Sequence, residues 1–314
     1  MSAGDRQTLR VMSIAPPDYR ERFPVTDGTI GHIEVDSNVS LRIIERGTTH
    51  PDPLLPPVVL VHGLASNARM WDGVAAALAS QRVRTVAVDL RGHGRSDRPD
   101  HGFDFATVGR DVCRVLDALQ IERAVIVGQS WGGNVVVDMA HRHAERVVGV
   151  VPVDGGMIDL QRTFPEWDDC ARALHPPRLT GTRAGRLEAA IRSMHADWPE
   201  TGIIGALSNF EVLDDGTIRP WLRLEHHMAI LRELWEHRPS ELYPAIERPV
   251  VFVPADSGDV AWTRDKNRAV DEALRVLPRA RAHWFRPAHH DVHAQYPVQV
   301  AEVVTANLRN GFLS

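Results

Sequence analysis

The stretch VGQSWGGN, Val127 to Asn134, sets one hydroxyl, Ser130, between Gly128 and Gly132, directly after the apolar run Ala124 to Val127. A strand that turns sharply into a helix at one residue strains that residue's backbone. It also brings the positions two before and two after close together, where a side chain would collide and glycine does not. Such a turn lifts the hydroxyl above the sheet edge and aims the next helix's N-terminus at the same place. A serine hydroxyl is a poor nucleophile at neutral pH, so it needs a base, and the base needs an orienting group. The best source of a base is AHHDVHAQYP, residues 288–297, which holds His289, His290 and His293, with His283 just upstream. Close histidines also raise the question of a metal, but no second ligand group stands at a recognisable spacing, and none is expected.

These groups need elements to hold them. PVVLVHG, RTVAVDL, AVIVG and VVGVVPVD are short continuous apolar runs, and each of the first three is followed by a helix-like stretch: MWDGVAAALASQ, FATVGRDVCRVLDALQ and GGNVVVDMAHRHA. Buried strands alternating with helices predict a mostly parallel, twisted α/β sheet covered on both faces. Two further strands, TIGHIEVD and VSLRIIERG, precede them and are joined by the short Ser37–Asn38 link. The alternation stops from about residue 156 to 245, where RTFPEWDDCARAL, GRLEAAIRSMHADW and WLRLEHHMAILRELWEHR read as helices with a turn at DDGT. It resumes with RPVVFVPA, the helix TRDKNRAVDEALRVL, the strand RAHWF and a last helix PVQVAEVVTANL. The expected organisation is an N-terminal arm (1–22), a first core part (23–155), a helical cap (156–245) of the length that forms a lid over a site, and a second core part (246–314). Within the cap, Met228 and Trp235 are the expected pocket-lining residues on an unusually apolar helix.

Composition bounds the rest. The 314 residues, 43% hydrophobic and 25% charged, are ordinary for a globular protein with a sizeable core. A net charge of −5 supplies no basic field for nucleic acid and no polybasic membrane patch. Two cysteines make no disulfide framework, and no apolar run has the length of a signal-peptide core or a membrane span, so a cytoplasmic enzyme or binding protein is the default. Lys266 is the one lysine among 36 basic residues, a bias that fits a GC-rich genome and carries no mechanistic weight at this level. Nothing in the sequence speaks to oligomeric state.

With these motifs assembled, residues 25 to 310 resemble the α/β-hydrolase fold superfamily, specifically its cap-bearing serine hydrolases of esterase and lactonase type. The resemblance makes Ser130 the nucleophile. It places the catalytic histidine seven residues before the proline that opens the final helix; that proline is Pro297, which gives His290. The acid of this fold usually follows the strand after the cap, here PVVFVPADSGDV, and the preferred candidate is Asp259 with Asp256 as the nearer alternative. Some relatives use an acid after the earlier strand, which would be Asp154 in PVDGG. The resemblance further makes His62-Gly63-Leu64 the oxyanion loop, with the backbone N–H groups of Leu64 and Trp131 as donors, and His62 a structural brace. DLRGHGRSDRP matches a turn of related hydrolases, with Gly92 and Gly94 as turn residues and His93 structural.

The implied activity is cleavage of a carboxylic ester, lactone or related acyl bond of a small, largely apolar molecule, with no cofactor. A dinucleotide-binding fold is excluded because HGLASNA lacks the GxGxxG pattern. Haloalkane dehalogenases and soluble epoxide hydrolases share the scaffold but carry aspartate where Ser130 stands. A C–C bond hydrolase, a cofactor-independent oxygenase and a small-molecule receptor with little turnover are the alternatives.

Overall fold

In a computed structural model, the chain is described at residues 24–25 and 27–314, so the N-terminal arm expected at 1–22 lies outside the described residues. The first strands, β1 (Thr29–Asp36) and β2 (Val39–Arg46), form a hairpin whose turn places Asn38 at φ 63°. Then come β3 (Val58–Val61), α1 (Asp72–Ser80), β4 (Thr85–Val88), α2 (Phe105–Ala118), β5 (Ala124–Gln129), α3 (Trp131–Arg142) and β6 (Val147–Val153). An inserted segment follows: α4 (Leu160–Thr163), α5 (Trp167–Ala173), α6 (Ala184–Met194), α7 (Glu200–Leu207), β7 (Phe210–Val212), β8 (Ile218–Pro220), α8 (Leu224–Glu236) and α9 (Pro239–Leu242). The chain ends with β9 (Val250–Phe252), α10 (Val260–Val276), β10 (Ala280–Ala282), α11 (Val292–Gln295) and α12 (Pro297–Arg309).

Eight strands form one sheet in the order β1-β2-β4-β3-β5-β6-β9-β10; the pairs β1·β2 and β2·β4 are antiparallel and the others parallel. The apolar runs are continuous because both faces are covered. Along β3, Val59 and Val61 enter one core with residues of α2 and α3, while Val58 and Leu60 enter the other with residues of α1 and α12. All four are fully buried. At about 25 cal/mol per Å² of apolar area, each such side chain contributes roughly 2 kcal/mol toward the entropy lost on folding. The parallel strands all point their carboxyl ends the same way, and the loops leaving β3, β5, β6 and β9 converge there, as open α/β sheets require for a binding crevice.

The inserted segment is mostly helical, as its periodicity predicts, but the DDGT turn closes a small antiparallel hairpin, β7·β8, with Gly216 at φ 76°. Strands of three residues are too short to display a period of two. The segment seats on the sheet layer in two places. Leu187, Trp198, Ile203, Leu207 and Ile218 form a small core with Met70 and Ala294, whereas Ile230 and Leu234 of α8 join the main core beside α2 and α3.

Candidate active site

Ser130 stands between the end of β5 and the start of α3 at φ 55°, ψ −121°, a region that costs a non-glycine residue on the order of 1–3 kcal/mol. The glycines explain how the turn closes. A Cβ on Gly128 would lie 2.1 Å from Gly132 O, and one on Gly132 would lie 2.4 Å from His62 O, both backbone atoms that cannot move aside. As the first residue of α3, Trp131 has no carbonyl one helical turn back to receive its N–H. Its indole is fully buried in the main core, stacked on His93 at 5.7 Å, so the backbone is what Trp131 can offer the site.

His290 lies in the loop between β10 and α11, and its Nδ1 is 2.6 Å from Asp154 Oδ2. Asp154 follows β6 directly, at φ 43°, with its side chain only 1% exposed against 53% for His290. Of the three carboxylates weighed from sequence, the one that meets the histidine is therefore the one ranked behind Asp259. Asp259 is exposed at the start of α10, where its carbonyl accepts from Thr263 N–H at 2.9 Å, the station of a helix cap. Asp256 accepts from Gly258 N–H at 2.9 Å and from Thr263 Oγ1 of α10 at 2.6 Å, and its Oδ2 lies 3.4 Å from Arg286 Nε, so its oxygens are spent away from the imidazole.

The electrostatics of the pair follow from these contacts. His290 keeps about half its side-chain surface open, and losing the rest of its hydration works against the cation, but the hydrogen bond and charge of Asp154, with Asp291 adding, outweigh it and raise the pKa above 6.5. Burial alone would push the Asp154 carboxyl up. The bond to His290 and its charge, then those of Lys266, hold it below the usual carboxylate value. With Nδ1 committed to Asp154, the free imidazole lone pair sits on Nε2.

The competing histidines are used otherwise. His293 is fully buried against the Trp71 ring, with centroids 4.3 Å apart, and burial pushes its pKa down to about 4. The ring of His289 stands edge-on to His195, with centroids 6.1 Å apart, and the ring of His283 reaches Asn307 at 3.5 Å. His62 donates from Nδ1 to Gly63 O at 2.7 Å and accepts from Leu90 N–H at Nε2 at 3.0 Å, which braces the loop carrying Leu64. Among the described residues, no three histidine, cysteine, aspartate or glutamate side chains gather as a metal site would need.

Ser130 and His290 share one cavity of about 280 Å³. Its lining includes Leu64, Gln129 and Asp291 from the core and Ile191, Trp198 and Phe210 from the inserted segment, with Ser66, Met70, His195 and Asn209. The expected pocket residues Met228 and Trp235 are not part of this lining. Both are half-buried on α8, whose inward face joins the main core, and Trp235 Nε1 donates to Phe164 O at 2.7 Å with Arg232 over its ring. Helical periodicity identified an inward face but not the surface it meets. Sequence reasoning also missed Gln129, which donates to His290 O at 3.3 Å, and Lys266, whose Nζ reaches both Asp154 oxygens.

Among the described residues no helix is long and apolar enough to cross a membrane. The α/β hydrolase fold family model matches residues 56–190. Esterase YbfF of Escherichia coli (strain K12) is 28% identical over 255 residues, covering 81% of this chain and 93% of that one. Epoxide hydrolase A of Mycobacterium tuberculosis is 39% identical over 119 residues, covering 37% of this chain and 36% of that one. Among solved structures, E-2-(acetamidomethylene)succinate hydrolase superposes with a TM-score of 0.72 at 22% identity, covering 90% of this chain and 99% of that one. The strand order, the Ser130 turn and these matches together show that the chain has the α/β-hydrolase fold, and the partial family match with the esterase relative supports a hydrolase.

Proposed function

We propose that the protein is a serine hydrolase that cleaves a carboxylic ester, lactone or related acyl bond of a small, largely apolar molecule, with Ser130, His290 and Asp154 as its triad. One observation carries this reading: a strained serine at a strand–helix turn and an aspartate-bound histidine open into the same cavity. His290 Nε2 takes the Ser130 Oγ proton as the oxygen attacks the acyl carbon. The oxyanion accepts from the N–H groups of Leu64 and Trp131, backbone donors that need no reorganisation as charge develops. Collapse of the adduct breaks the bond to the leaving group, which takes the proton from His290, and the acyl group remains on Ser130. Water, deprotonated by His290, then releases the acid and restores the serine. Asp154 keeps Nδ1–H in place and stabilises the imidazolium at each proton transfer.

Fold alone does not choose the bond. Proteins similar to this chain carry the names esterase and epoxide hydrolase, so the choice rests on Ser130, which supports an acyl-enzyme. The cavity lies near the small end of ligand pockets, which favours short acyl groups. The segment between β6 and β9 acts as the cap, since Ile191, Trp198 and Phe210 supply the apolar wall facing the serine. The test is labelling by a serine-reactive phosphonate together with turnover of a p-nitrophenyl ester panel. Ser130→Ala should fold, lose the label and lose kcat by roughly a millionfold relative to wild type. Wild-type turnover in that variant would remove Ser130 from the mechanism.

A further inference from the structure

Lys266 Nζ donates to Asp154 Oδ1 at 2.7 Å, to Asp154 Oδ2 at 2.9 Å and to Ala255 O at 2.6 Å. An ammonium has three protons, so these three acceptors match its donors. The Asp154 carboxylate is then held from every side: Ala255 N–H donates to Oδ1 at 2.9 Å, His290 Nδ1 meets Oδ2, and Lys266 bridges the two. The arrangement needs a compact cation. Arginine's planar fork spreads its donors in one plane, whereas an ammonium turns them from one point toward a carboxylate and a carbonyl together. The chain uses its single lysine here.

We propose that Lys266 is a positioning residue of the triad, clamping the Asp154 carboxylate against His290 Nδ1 and offsetting part of the charge that the carboxylate presents to the imidazole. This rests on reading Asp154 as the triad acid. Asp154 sits at a positive φ, and a buried carboxylate with His290 as its one cation would hold the imidazolium tightly. A second cation on the same oxygens weakens that hold, so His290 remains a free base to lower pH than it would beside Asp154 alone. The other groups near His290 are Asp291, which favours its cation, His293, buried against Trp71, and His195 in the cavity lining, both histidines pushed toward the neutral form by burial.

The experiment is the pH profile of kcat and kcat/KM from pH 5 to 9 for the full-length protein and the variants Lys266→Met, Lys266→Arg and Asp154→Asn, with a thermal melt of each. Removing the cation raises the pKa of His290, so the acidic limb moves to higher pH. Lys266→Met should lose on the order of tenfold in kcat above the limb with little change in KM, and at a fixed pH below the limb the deficit should be larger by a further factor of roughly three for each half unit the limb moves. Lys266→Arg returns the charge without the three-way donation, so it should restore the limb and only part of kcat. Should Lys266→Met fail to fold, Lys266→Gln answers the same question. A folded Lys266→Met or Gln protein with the wild-type limb and kcat overturns the proposal, as does one that loses rate with an unmoved limb. Asp154→Asn separates the two claims: wild-type activity there defeats the acid assignment, whereas a collapse there beside an unaffected lysine variant defeats only the clamp.

Discussion

Two neighbouring loops at the carboxyl edge of the sheet each offer an acid, and they differ in everything but that. VDGG, leaving β6, buries Asp154 beneath His290 and surrounds it with donors from Ala255, Lys266 and the histidine. ADSGD, leaving β9, ties Asp256 to Gly258, Thr263 and Arg286 and leaves Asp259 exposed at a helix start. A triad acid must hold an imidazole in one tautomer and stabilise its cation, and both effects weaken when water can replace the contact. Under the proposed mechanism, burial with a full set of donors, rather than rank along the chain, is what favours Asp154 as the acid.

The strongest way to break that comparison is to neutralise each acid in place. Asp154→Asn keeps the shape but offers the wrong tautomer to His290, and kcat should fall by about four orders of magnitude. Asp259→Asn and Asp256→Asn should stay within roughly threefold of wild type, since neither touches the imidazole. Steady-state kinetics on one ester decides it. A crippled Asp259→Asn protein beside an active Asp154→Asn protein would reverse the assignment.

A glycine in each loop sharpens the contrast at a smaller scale. A Cβ on Gly155 would lie 2.2 Å from Ser130 O, a backbone atom of the nucleophile turn. Gly258 has nothing within 4 Å of the same position, although its φ of 87° disfavours other residues. Gly155→Ala should therefore cost roughly 1–3 kcal/mol, visible in the melt, and lower kcat by at least about tenfold because Ser130 must shift. Gly258→Ala should cost about 1 kcal/mol and leave kcat alone. Equal effects from the two would mean the β6 loop is no more tightly coupled to the serine than the β9 loop.

The same contrast explains what the sequence carried. The sheet was legible because strands covered on both faces leave unbroken apolar runs. The elbow was legible because its geometry forbids side chains at Gly128 and Gly132. The choice of acid was not, because it depends on His290, 136 residues away, and on Lys266, 112 residues away. A composition count treats Lys266 as a rarity; only the tertiary fold turns it into a neighbour of Asp154. The hairpin β7·β8 escaped because its strands are three residues long.

The inserted segment, the proposed cap, divides in the same manner, and here the expected effects are smallest. One half, with Ile191 of α6 and Phe210 of β7, faces the cavity; the other, α8, leans on the main core through Ile230 and Leu234. A methylene moved from water into an apolar wall is worth about 0.8 kcal/mol, so the room opened by Phe210→Ala or Ile191→Ala can favour an acyl chain one or two carbons longer by roughly tenfold. Met228→Ala and Trp235→Ala lie outside the lining and should leave the order of substrates unchanged. Trp235→Ala also removes the bond to Phe164 O and the ring under Arg232, so its loss should register in the melting temperature, on the order of 2 kcal/mol. The measurement is kcat/KM across an ester chain-length series with a melt of each variant. A reordered series in the α8 variants, with Phe210→Ala and Ile191→Ala silent, would move the acyl pocket to the other half of the cap.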